Sequence, residues 1–180
     1  MITIIAGTNR PQSQTLRVAK IYLSLFKKQG AEAQILDLAE LPPALFSPAA
    51  YEKKPPEFAR FNDAVLKSQG LLVITPEYNG GFPGVLKYFI DMLQFPESFE
   101  NRPVAFVGVA AGKFGALRPV EQLQAIFLYR NAYVFNERIF LPGVENQINE
   151  QGEFTDPLIK TLVPQQVGHF IKFCQEVRPQ

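Results

Sequence analysis

The run Leu71-Leu72-Val73-Ile74-Thr75 is apolar without a break, and Val104 to Val109 repeats the pattern. A run of this kind reads as a strand buried on both faces, the place of a strand inside a parallel sheet. The rest of the chain fits a βα alternation around those two strands. Ile2 to Ala6 is a short β-branched run closed by Gly7. Val18, Ile21, Tyr22, Leu25 and Phe26 then fall on one face of an amphipathic helix that Gly30 is placed to end. Ala33 to Leu38 alternates as a half-buried strand, Phe58, Phe61 and Val65 mark a second helix, and Val85, Leu86, Phe89, Ile90 and Leu93 trace a third. Leu117, Val120, Leu123 and Phe127 predict a fourth helix, and Ala132 to Phe135 a fifth strand. The last helix has Asp156 as N-cap and Pro157 in its first turn, with Ile159, Val163, Val167, Phe170, Ile171 and Cys174 on one face and Pro164 placed to kink it. Five strands alternating with five helices predict a three-layer α/β sandwich, one domain over residues 1–180.

Two stretches break the alternation. Leu38 to Pro56 holds Pro42, Pro43, Pro48, Pro55 and Pro56, too rigid for a free linker, and reads either as a functional connection or as an ordered surface loop. Phe140 to Thr155 reads as a hairpin-like excursion whose role is not legible. Charge narrows the partners. With 18 basic against 17 acidic residues the chain carries +1, with no basic stripe for nucleic acid and no polybasic run for a membrane surface. No stretch approaches the roughly 18 apolar residues of a membrane span. One cysteine and an N-terminus that opens as a strand, with no signal-peptide pattern, predict a cytoplasmic setting.

In an open parallel sheet, ligands bind beyond the carboxyl ends of the strands, where strand order reverses. Three loops compete for that place. The first carries Thr8, Asn9, Arg10, Ser13, Gln14 and Thr15 directly before a helix, so hydroxyls, an amide, a guanidinium and the helix N–H groups can converge on one anion. The same residues also suit a plain helix cap. No Gly-x-Gly-x-x-Gly and no Gly-Lys-Ser/Thr is present, which favours a terminal phosphate monoester over a dinucleotide or a nucleoside triphosphate. The second loop, Pro76-Glu77-Tyr78-Asn79-Gly80-Gly81-Phe82-Pro83-Gly84, offers backbone polar groups and aromatic rings to a planar heterocycle, or forms an ordinary Asn-Gly turn. The third, Ala111-Gly112-Lys113-Phe114-Gly115-Ala116, has glycines that admit a ring close to the backbone. Together the three outline a site for a phosphorylated planar cofactor such as flavin mononucleotide.

Gly7-Thr8-Asn9-Arg10, Pro76-Glu77-Tyr78-Asn79-Gly80, Pro83-Gly84-Val85-Leu86-Lys87, Ile90-Asp91 and the segment Val104 to Tyr133 resemble the NADPH-dependent FMN reductase family over nearly the whole chain. The resemblance implies a flavodoxin-like fold with sheet order 2-1-3-4-5, FMN as cofactor and NADPH or NADH as donor. It implies a ping-pong transfer to a quinone, flavin, azo compound or metal oxyanion. It also implies that Thr8, Arg10, Ser13, Gln14 and Thr15 hold the FMN phosphate, while Pro76, Glu77, Tyr78, Asn79 and Gly80 with Ala111, Gly112 and Gly115 border the isoalloxazine. A homodimer or homotetramer with small-molecule partners follows from the same likeness. The sequence departs from the family's pattern at Ala111, where a serine is frequent, so only backbone contacts remain there.

Hydride transfer by a flavin asks no side chain for a proton, so no catalytic residue is named. Glu77 reads as a turn or subunit-contact residue, and Lys113 and Arg118 as solvated charges before any 2′-phosphate role. His169 and Cys174 lie on or beside the apolar face of the last helix and read as structural, and no metal site is predicted. Two other readings of the same fold stand beside the reductase. One is a one-electron flavodoxin, against which the near-zero net charge argues, and the other a flavin-free interaction protein.

Overall fold

In the computed structural model of the chain, which describes residues 1–177, the apolar runs become the inner strands of one sheet. β1 (Ile2–Ala6), β2 (Ala33–Asp37), β3 (Gly70–Pro76), β4 (Pro103–Ala110) and β5 (Tyr133–Pro142) pair in parallel in the order β2-β1-β3-β4-β5. β3 is buried at every position and β4 at all but its last. Their registers place Ile4 between Ile35 and Leu72, and Val73 between Ile5 and Phe106. This is the flavodoxin-like architecture, with the order reversing between β1 and β3.

The helices α1 (Gln14–Lys28), α2 (Ala59–Leu66), α3 (Gly84–Met92), α4 (Leu117–Tyr129) and α5 (Pro157–Glu176) cover both faces. Side chains alternate along each strand, so the sheet feeds two cores. Ile2, Ile4, Leu72, Ile74, Ala105 and Val107 pack under α1 and α5, with Val18, Tyr22, Phe26, Val163, Val167 and Phe170. Ile5, Leu71, Val73, Val104 and Phe106 pack under α2, α3 and α4, with Phe61, Phe89, Val120, Leu123 and Phe127. Each such ring or branched chain contributes about 1.5–3 kcal/mol by leaving water.

The Pro-rich connection is ordered, as its composition predicts. It runs as 3-10 turns at Leu38–Glu40, Pro43–Phe46, Pro48–Tyr51 and Pro56–Phe58, the last three opening on proline, and it sends Leu38, Leu41, Leu45 and Ala50 into the core below α3. Tyr88 of α3 donates its hydroxyl to the Leu45 carbonyl at 2.8 Å. One expectation needs correcting. β5 extends to Pro142, well past Phe135, because a bulge carries the polar residues Asn136 to Arg138 through it: Val104 pairs with Val134, yet Phe106 pairs with Arg138. α5 runs from Pro157 to Glu176 with Pro164 inside it, as the sequence places it, and the Pro164 carbonyl accepts from Gln29 Nε2 at 2.9 Å. Beyond β5, a turn at Val144–Asn146 and an antiparallel bridge between Ile148 and Phe154 form the expected excursion.

Candidate functional site

Beyond the carboxyl ends of β1, β3, β4 and β5 lies a cavity of about 360 Å³, within the size range of small-molecule sites. Arg10, Ser13, Gln14 and Thr15 line it from the β1–α1 loop, Pro76, Glu77 and Tyr78 from the β3–α3 loop, Ala110 and Ala111 from the end of β4, and Val144 and Glu145 from the turn after β5. A larger groove of about 710 Å³ runs between α1 and α5. It lies along a helix face, so position at the strand ends, not volume, selects the smaller cavity.

The α1 N-terminus is built for an acceptor. Ser13 is extended and its hydroxyl accepts the Leu16 N–H at 3.1 Å, leaving the Gln14 and Thr15 N–H groups without helical acceptors. Gln14 Oε1 accepts from Arg17 Nη1 at 3.0 Å, so its NH₂ is the donor left over. Arg10 is exposed and, among the described residues, has no carboxylate within salt-bridge distance. An oxyanion there would meet a helix dipole, backbone N–H groups and an uncommitted guanidinium. Capping and anion binding therefore coexist in one loop, since the Ser13 hydroxyl accepts the cap bond and keeps its own proton to donate.

The β3–α3 loop is a tight hairpin. Tyr78 and Gly81 exchange backbone hydrogen bonds of 2.8 and 3.1 Å around Asn79 and Gly80, whose φ values of 53° and 78° are those of a type I′ turn. The turn pushes Asn79 and Gly80 to its tip, outside the cavity wall, while Tyr78 stays in the wall. Thr8 is also absent from the wall. It is fully buried, its hydroxyl 2.8 Å from the Tyr78 hydroxyl and accepting the Arg10 N–H at 3.3 Å, so it braces the first loop against the second.

The third loop contributes Ala111 but not Gly112 or Gly115. Gly112 is exposed, whereas Gly115 is buried with φ 57° and packs on Phe140 and Leu141 of β5. A Cβ on Gly108 would fall on the Gly115 carbonyl oxygen, so both glycines serve the close approach of loop to sheet. Glu77 of the second loop pairs at 3.1 Å with Arg118 in the first turn of α4, and its side chain is only 15% exposed. Val144 and Glu145 escaped the sequence reading because a turn after an irregular strand carries no periodic signal. His169 pairs with Glu137 at 2.7 Å on the surface, and Cys174 is buried. Among the described residues no helix is long and apolar enough to cross a membrane.

A model of the NADPH-dependent FMN reductase family matches residues 1–146, a span that includes all four segments of the cavity wall. The chain belongs to that family. It is thus an oxidoreductase of the FMN-using, NAD(P)H-dependent class. Among the FMN reductase family's members, an NAD(P)H-dependent FMN reductase of Pseudomonas aeruginosa is 29% identical over 77% of this chain and 76% of its own. A quinone reductase of Pseudomonas putida is 30% identical over 90% of each chain. The solved structure of FerB, a flavoenzyme NAD(P)H:(acceptor) oxidoreductase from Paracoccus denitrificans, superposes with a TM-score of 0.82 at 23% identity, covering 97% of both chains, and shares the fold.

Proposed function

We propose that the chain acts as a single FMN-binding domain that takes hydride from NADPH or NADH and passes it to a quinone or similar small acceptor by a ping-pong scheme, in the cytoplasm. The observation that carries this reading is the convergence of an unpaired Arg10, the open N-terminus of α1 and the Pro76–Tyr78 backbone on one cavity at the switch of strand order. The residues fit the cofactor. Arg10, the Ser13 hydroxyl, the Gln14 amide and the Thr15 N–H would hold the phosphate, while Pro76 to Tyr78 and Ala110 to Ala111 would border the ring system. Thr8, Asn79, Gly80, Gly112 and Gly115 act at one remove by shaping the loops that carry those groups. FMN, when bound, supplies the hydride-accepting centre, which the chain need only position and shield. Arg118 offsets the Glu77 charge beside the ring site, so the wall is not repulsive to a flavin that gains electrons.

We also infer a homodimer or homotetramer. Exposed Phe95 and Tyr129 border the groove between α3 and α4, and Phe46 and Tyr51 stand beside Tyr88 of α3, an aromatic surface of the kind that self-association covers.

The test is an absorbance spectrum of the purified chain with added FMN, before and after anaerobic NADPH. Retention of the flavin band through gel filtration and its bleaching by NADPH support the reading. No retention at saturating FMN removes the enzyme reading and leaves the fold standing. A long-lived half-reduced spectrum favours a one-electron carrier.

A further inference from the structure

Phe114 stands at the tip of the β4–α4 loop with 61% of its surface in water. Its loop is not slack. Gly115 and Ala116 are buried against the sheet, the Phe114 carbonyl accepts the Leu117 N–H at 3.0 Å, and the Gly112 carbonyl accepts from Gly115 at 3.4 Å. The ring itself is held: the Arg118 guanidinium lies 4.9 Å from its centroid, and Arg118 is bonded in turn to Glu77 in the cavity wall at 3.1 Å. Among the described residues no second ring contacts Phe114, so an apolar face is left open to solvent, joined to the cavity wall through Arg118 and Glu77. A phenylalanine this exposed adds little to the core, whereas one held close to a binding site offers a flat partner for a planar ligand.

We propose that Phe114, set by the Arg118–Glu77 pair, is the stacking platform that selects flat aromatic electron acceptors of the quinone class. The inference rests on the flavin reading above and deepens it. The overall reaction balances as NAD(P)H and one proton reducing a quinone to its hydroquinone, with NAD(P)⁺ released. Phe114 forms and breaks no bond in it and acts only through acceptor binding.

The experiment uses the full chain loaded with FMN, as the unaltered protein and as Phe114→Ala and Phe114→Tyr, with NADPH as donor. Two acceptors are compared: 1,4-naphthoquinone, which is flat, and ferricyanide, which has no ring to stack. Loss of the ring should lower the ratio of kcat/KM for naphthoquinone to that for ferricyanide about three- to tenfold, mostly through KM, with the FMN dissociation constant within about twofold. Phe114→Tyr should restore the ratio. An unchanged ratio overturns the platform. So does a common fall for both acceptors with weaker FMN binding, which assigns Phe114 to loop packing, or a smaller species on gel filtration, which assigns it to a subunit contact. No turnover by the unaltered protein with either acceptor removes the flavin reading and the platform with it.

Discussion

Replacing Gln166 by leucine tests the buried polar junction that ties α1 and α5 to the sheet. Gln166 is 1% exposed, its Oε1 accepts the Tyr22 hydroxyl at 2.7 Å, and its Nε2 donates to the Glu137 carbonyl at 3.1 Å. The Glu137 carbonyl needs that donor because the bulge in β5 leaves Phe135 to Glu137 without partners on β4. The Phe106 carbonyl at 3.5 Å lies at the limit of bonding and is left out of the sum. Leucine fills most of the volume and answers neither group. Orphaning the fully buried Tyr22 hydroxyl costs about 1–3 kcal/mol and losing the donor to Glu137 about 1 kcal/mol, for a total of about 2–4 kcal/mol. For a chain of this length that is a Tm lower by roughly 5–15 °C. Thermal unfolding followed by circular dichroism reads it. Adding Tyr22→Phe to Gln166→Leu removes the stranded hydroxyl and should recover about 1–2 kcal/mol. A Tm within about 2 °C of the unaltered protein, or a double variant less stable than the single, would refute the reasoning.

Burial also holds the Tyr22 phenol well above its usual range. A pKa raised on folding means the folded state keeps a proton that the unfolded chain loses, so stability is whole below about pH 10 and falls as pH rises beyond it; urea midpoints from pH 8 to 11 should show the fall, and Tyr22→Phe should flatten it. Arg10→Ala should weaken FMN binding about 10- to 100-fold with an unchanged far-ultraviolet spectrum, and an unchanged dissociation constant would sink its phosphate role. Gly108→Ala sets a methyl group on the Gly115 carbonyl and 3.1 Å from Phe140, so the third loop must lift. The expected cost is about 1–3 kcal/mol together with weaker FMN binding, and a variant with full Tm and affinity would show that the loop is not seated as described.

The parts of the fold legible in the sequence are those with a period. Val18, Tyr22 and Phe26 on α1, the solid runs of β3 and β4, and the Asp156 cap, whose carboxylate accepts from Leu158 and Ile159, stand where spacing put them. β5 was cut short in the reading because Asn136, Glu137 and Arg138 are polar and the bulge breaks alternation, which only pairing with β4 compensates. The cavity is legible to the same degree. Arg10 to Thr15 and Pro76 to Tyr78 announce themselves by composition after a strand, and they meet. The inward burial of Thr8 was hidden, since whether a hydroxyl faces a ligand or a neighbouring loop depends on Tyr78, far along the chain. Val144 and Glu145 reach the wall only because β5 runs to Pro142 and turns there.

The bulged, polar β5 has one further consequence. As one of the two edge strands it presents Tyr133, Asn136 and Arg138 to solvent, and its regular pairing is interrupted at the bulge. At this edge another chain therefore finds no continuous flank on which to lay a strand. A molecule that meets this edge must dock through side chains, which leaves the strand ends that frame the cavity undisturbed.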